Sequence, residues 1–237
     1  MPDSPLAVLA LGFVLGLRHA LDVDHVAAVS TIVSARRSVW ASSLVGAVWG
    51  LGHTTALLAL GVVVVALQTG IPPAVAQALE LAVAAMLVGL GARLLWTLRQ
   101  GGRLHLHGHV HDGRFHVHPH VHGRGAHAAG TDHHAHPGRQ PFVVGLVHGL
   151  AGTAGLMLAV VATIPSRPLA LLYVAVFGCG SIGGMMAMSA LLGLPFALAA
   201  GRLRRVDGVL AAWAAVASVA VGLALAWRLG VEAGLLA

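Results

Sequence analysis

Two histidines and two aspartates are strung along His19-Ala-Leu-Asp22-Val-Asp24-His25, inside a stretch otherwise apolar enough to enter a bilayer. A charged side chain at the centre of a membrane helix costs about 2.5–3.5 kcal/mol on translocon scales, so such groups persist where they pair or bind something. Imidazole and carboxylate together make a ligand set for a divalent transition-metal ion. Two more histidines fall in apolar stretches: His53 in Gly50-Leu-Gly52-His53-Thr54-Thr55, and His148 in Val147-His148-Gly149. The neighbouring glycines allow close helix approach, and threonine hydroxyls can orient an imidazole. The candidate metal ligands are therefore His19, Asp22, Asp24, His25, His53 and His148. On a helix turning about 100° per residue, His19, Asp22 and His25 fall within about 120° of one another. Asp24 faces away from them unless the backbone unwinds. A nitrogen-rich set with few sulfurs leans toward Ni²⁺ or Co²⁺ over Cu⁺.

Taken singly, each group has a plainer use. A lone membrane histidine serves as hydrogen-bonding glue. Asp22 or Asp24 could pair with Arg18, or belong to a proton relay. Met185, Met186 and Met188, with Cys179, are read as packing, and Glu80 as an interfacial residue. It is the conjunction of four histidines and two aspartates that points to a site.

The elements that must position these groups are membrane helices. The 237-residue chain is 57% hydrophobic and 9% charged, with mean hydropathy +0.85; soluble domains carry about 25% charged residues. The net charge of +6 comes with 14 arginines and no lysine. They gather at helix ends and in short loops, which reads as a topology signal and not as a nucleic-acid surface. One cysteine excludes an intrachain disulfide framework. The start, Met-Pro-Asp-Ser-Pro, has no basic n-region, so a cleaved signal peptide is not expected.

Six spans are expected, over about 6–33, 39–67, 75–98, 142–164, 169–199 and 206–229. The first is too long for one upright helix and must tilt, bend or break, most naturally at the polar cluster. Arg36, Arg37, Arg99, Arg103, Arg114, Arg124, Arg139, Arg202, Arg204 and Arg205 then share one side, against Arg167 and Arg228 on the other. The arginine-rich side is cytoplasmic by the positive-inside rule, and both termini face outward.

The chain also echoes itself. Phe13-Val-Leu-Gly16-Leu-Arg-His19 returns as Phe142-Val-Val-Gly145-Leu-Val-His148, and Trp49-Gly50-Leu-Gly52-His53 as Phe177-Gly178-Cys-Gly180-Ser181. Three spans per half is an odd number, so the halves would lie in the membrane with opposite topology, an arrangement typical of transporters. The expected fold class is an all-α polytopic transmembrane helical bundle of about six spans, built as a 3+3 inverted repeat. Residues 1–98 form its first half, with the metal cluster, and 142–237 its second.

Between the halves, 99–141 is a histidine-rich cytoplasmic loop. Arg103 and Arg139 bracket 12 of the 16 histidines, in runs such as His105-Leu-His107-Gly-His109-Val-His111 and His116-Val-His118-Pro-His120-Val-His122. Low-complexity composition predicts disorder here. The imidazoles make it an adaptable metal buffer, sensor or hand-off segment for a cytoplasmic metal acceptor. The plainer reading is a spacer.

At Arg18-His19-Ala20-Leu21-Asp22-Val23-Asp24-His25-Val26 the chain resembles the nickel/cobalt transporter family, whose signature helix carries HxxxxDH. Gly52-His53-Thr54-Thr55 is similar to that family's second motif. The resemblance implies that His19, Asp24, His25 and His53 select the metal. Acidic residues of the family's later motifs have no counterpart in Gly149-Leu-Ala-Gly152-Thr153-Ala154-Gly155 or Gly183-Gly184-Met185. The chain looks closer to the small, urease-accessory-like branch, with His148 as the candidate substitute for those acids.

The expected function is transport of Ni²⁺, or Co²⁺, across a bacterial inner membrane, with uptake favoured. The partners are the metal ion and the lipid bilayer, with no nucleic acid, no prosthetic group and no catalytic residue. The chain has no GxxxxGK[ST] motif for nucleotide binding. One rival is a metal exporter using the same site. Another, from a different class, is a membrane metalloenzyme with histidine ligands, against which stands the absence of a His-Glu-x-x-His run.

Overall fold

In a computed structural model, the described residues are 4–67, 71–100, 104–111, 114–121, 138–151, 157, 160–199 and 204–232. Helix α1 spans Pro5–His19 and α2 spans Val23–Val33. Then come α3 (Val39–Leu67) and α4 (Pro73–Arg99), whose first turns begin after Ser38 and at a proline whose ring suits that place. After the histidine-rich segment follow α5 (Arg139–Gly149), α6 (Arg167–Ala199) and α7 (Arg204–Glu232).

Four helices, α3, α4, α6 and α7, are long and apolar enough to cross a bilayer, or five spans if the pair α1–α2 is one; this count covers the described residues. By length and composition this is a multi-pass membrane protein. The first span breaks as expected at its polar cluster, with a 55° bend between α1 and α2. The expected span over 142–164 does not run as one helix: α5 stops at Gly149, a bend follows at Ala151, and most of 152–159 lies outside the described residues.

Small residues set the packing, as they must where lipid offers no hydrophobic drive between helices. Gly16 of α1 lies on the Phe177 carbonyl of α6, and Gly180 of α6 lies on the Phe13 carbonyl of α1; a methyl at either would overlap that oxygen. The α3–α5 contact repeats the device, with Gly52 on the Phe142 carbonyl and Gly145 on the Trp49 carbonyl. Helices α3 and α6 are tied by Thr54 Oγ1 donating to the Gly178 carbonyl (3.2 Å). Helices α4 and α7 run antiparallel, and Ser218 Oγ donates to the Leu87 carbonyl (2.8 Å). Arg37 and Asp207 pair at one end of the bundle, and Glu80 and Arg228 at the other. Trp40, Trp96, Trp213 and Trp227 are exposed on the outside, where lipid would meet them.

Where the composition predicts an unstructured loop, residues Leu104–His111 and Arg114–Val121 pair as an antiparallel hairpin. The physical reason is the strict His-x-His alternation, a period of two that suits a strand as well as it suits low complexity. The remaining histidines of that segment, beyond His120, lie outside the described residues.

Candidate metal centre

The break after His19 builds the site. Helix α1 ends on His19, three residues turn the chain, and Asp22 occupies the N-cap of α2 with extended backbone (φ −60°, ψ 142°). An aspartate there ordinarily caps the helix with its own side chain. Asp22 makes no such cap; its carboxylate instead accepts from His19 Nδ1 (2.9 Å). That bond fixes the His19 tautomer, because the proton on Nδ1 leaves Nε2 as a lone pair. Nε2 lies 3.0 Å from Nε2 of His53, which α3 presents from its middle. One proton between two such nitrogens satisfies them; a cation can take its place.

Asp24, in the first turn of α2, joins the two halves of the chain. Its Oδ1 faces His25 Nδ1 (3.1 Å) and also accepts from the His25 backbone N–H (3.0 Å). Its Oδ2 faces Nε2 of His148, in the last turn of α5 (3.0 Å). A carboxylate only accepts, so each ring donates to it and keeps its other nitrogen unprotonated. Those nitrogens, His25 Nε2 and His148 Nδ1, are buried without a hydrogen-bond partner among the described residues, as is His53 Nδ1. Leaving a buried polar atom unpaired costs about 1–3 kcal/mol. Three such nitrogens in one cluster are lone pairs that a cation could use.

The donor atoms converge in two overlapping triads. One atom each from His19, His25 and His53 lie within 4.8 Å of one another, and so do one each from Asp24, His25 and His148. His25 belongs to both and is fully buried, as is His53; His19 and His148 are nearly so. The ring centroids of His25 are 4.6 Å from His19, 5.2 Å from His53 and 4.4 Å from His148. Helices α1 and α5 end here and α2 begins here, so the negative dipole ends of α1 and α5 are partly offset by the positive end of α2, where Asp24 stands in the first turn.

All six candidates come together, in different roles from those the helical wheel assigns. Asp24 turns inward because the helix restarts at Val23. Asp22 is half-exposed and touches the cluster through His19. Neither aspartate has an ion pair with Arg18 among the described residues. Two aromatic walls escape the sequence reading: Trp49 stacks on His25 (5.3 Å, 28°), and Phe177 lies 5.5 Å from His19. Trp49 stands four residues before His53, one helical turn away, and that spacing is the signal that could have found it. Met185 and Met188 are buried packing residues, as expected, and Cys179 is exposed.

No family model matches the chain, and no solved structure does. Among curated proteins it is similar to the urease accessory protein UreH of Bacillus sp. (strain TB-90), with 34% identity over 240 residues, covering 97% of this chain and 95% of that protein. A likeness of that depth across nearly the whole length shows that the chain belongs to the family of the urease accessory protein UreH.

Proposed function

We propose that this chain carries Ni²⁺, or Co²⁺, across the bacterial inner membrane into the cell. The observation that carries the reading is the pair of buried triads sharing His25, in a cluster with three imidazole nitrogens that have no hydrogen-bond partner among the described residues. Histidine nitrogens with one carboxylate suit Ni²⁺ and Co²⁺, and no cysteine joins the clusters among the described residues, which argues against Cu⁺. The name of the UreH relative links that protein to urease; its likeness and the Arg18–Val26 segment both support a kinship with nickel/cobalt transporters.

The ion would shed water onto His19, His25 and His53, with Asp22 holding the His19 ring and Asp24 holding the His25 ring. Asp24 and His148 offer the adjoining position, so the ion can pass between triads without leaving His25. An inside-negative potential favours inward movement of a cation by about 2.3 kcal/mol per charge per 100 mV. The glycine contacts Gly16–Phe177 and Gly145–Trp49, at corresponding places in the two echoing stretches, support six spans arranged as an inverted repeat. The arginine distribution supports outward-facing termini. The histidine-rich segment would then receive the ion on the cytoplasmic side.

Nickel accumulation in cells expressing the full chain tests this. His19→Ala and His25→Ala, at matched protein levels, should each bring accumulation to the level of cells without the protein. Unchanged accumulation in both would overturn the reading. Nickel-sensitive growth after deletion of the chain would reverse the direction to export.

A further inference from the structure

One face of the centre opens to a cavity of about 250 Å³ between α2, α4, α5 and α7. Asp24 and His148 line it together with Glu80, Arg228, Val83 and Leu225. Glu80 Oε2 accepts from Arg228 Nη2 at 3.4 Å, and Arg228 Nε is 3.6 Å from Glu232 one turn further on. Arg228 is 60% exposed and Glu80 only 23%, so the arginine is the solvent-side member and the carboxylate the cavity-side member. His148, 1% exposed, contributes a ring whose Nδ1 has no partner among the described residues.

The cavity thus combines apolar walls, the carboxylate and imidazole of the candidate metal centre, and a second carboxylate paired with a largely exposed arginine. A partly exposed Arg–Glu pair adds little to stability, so little opposes its parting. A divalent cation outbids a guanidinium for the same carboxylate through its double charge. Acidic groups around a low-dielectric cleft also raise the local concentration of cations. The pair lies at the end of the bundle where α3 leads into α4 and where α7 finishes, opposite to the Arg37–Asp207 pair. The arginine-bias orientation makes this the outer end.

Resting on the transport reading above, we propose that Glu80 is the outer receiving ligand for the divalent metal ion, latched by Arg228, and that the ion passes from Glu80 through this cavity to Asp24 and His148. Glu80 selects by charge and makes no claim to be part of the histidine triads.

The test is initial nickel uptake against external Ni²⁺ concentration, in cells expressing the full chain at matched levels. Glu80→Gln should raise the half-saturating concentration about tenfold, the loss expected for one charge-assisted contact. Glu80→Asp should restore most of it. Arg228→Met, which frees the carboxylate, should lower the half-saturating concentration about threefold, in line with the modest worth of an exposed pair. The opposite signs are the signature, since a merely structural ion pair would make both variants fail in the same direction. Shifts of the same sign, or no shift in Glu80→Gln with wild-type uptake intact, would overturn the proposal. A wild-type chain that takes up no nickel would instead overturn the transport reading, and the latch with it.

Discussion

Gly16 lies on the carbonyl of Phe177 three residues before His19, and Gly145 lies on the carbonyl of Trp49 three residues before His148. Gly52 and Gly180 return the contact to Phe142 and Phe13. The two halves of the chain thus share one packing device, yet their chemistry diverges within a few residues. After His19 come Asp22, Asp24 and His25, whereas Ala151 follows His148 at the Asp22 distance, and Ser181 stands where His53 stands. Helix contact through backbone carbonyls asks only for a missing Cβ, so both halves can retain it. Gripping an ion asks for particular side chains, and one well-furnished half plus a single histidine from the other brings six candidate groups to one place. Frame and candidate ligands are separable in this protein.

The sharpest way to break that comparison is to exchange its unequal members. His53→Ala should abolish nickel accumulation, while Ser181→Ala, at the matching place in α6, should stay within about twofold of the wild type, as expected when only a local hydroxyl contact is lost. Equal losses would mean that the second half carries ligands too. The equal members come next: Gly16→Ala and Gly145→Ala should each lower stability by about 1–3 kcal/mol, the range for overpacking a close contact. Thermal unfolding of the purified protein in detergent measures both, and a large drop in only one would dissolve the symmetry. A partial loss, well short of that in His53→Ala, is expected at Asp22→Asn, which leaves the His19 contact but weakens its charge. A rise of about tenfold in the half-saturating nickel concentration fits an outer carboxylate behind a ligand histidine.

Long apolar helices are legible because hydropathy sums over a window, and α3, α4, α6 and α7 stand close to their expected bounds. The break of the first span is legible too, because Asp22 and Asp24 cannot sit in an unbroken lipid-facing helix without cost. The rest depends on tertiary detail. A helical wheel presumes a continuous helix, and the restart at Val23 turns Asp24 from an outlier into the residue that joins His25 to His148. The stop of α5 at Gly149 is hidden in an apolar run that reads as a full span. Glu80 and Arg228 pair across 148 positions of sequence, a distance at which no local pattern speaks, so Glu80 looks merely interfacial until α4 and α7 are packed together.

The break between α1 and α2 has a further consequence. It divides the ligand set among four separate helices, so His19, His25, His53 and His148 meet only when α1, α2, α3 and α5 have all docked. A nascent chain with only its first half inserted has no His148 against Asp24. Cargo that binds the assembled state alone acts as a rivet, adding to the free energy of assembly in proportion to the logarithm of its concentration. Copies whose halves have not docked would lack the Asp24–His25–His148 triad, and with it the adjoining seat that the proposed cargo would reach.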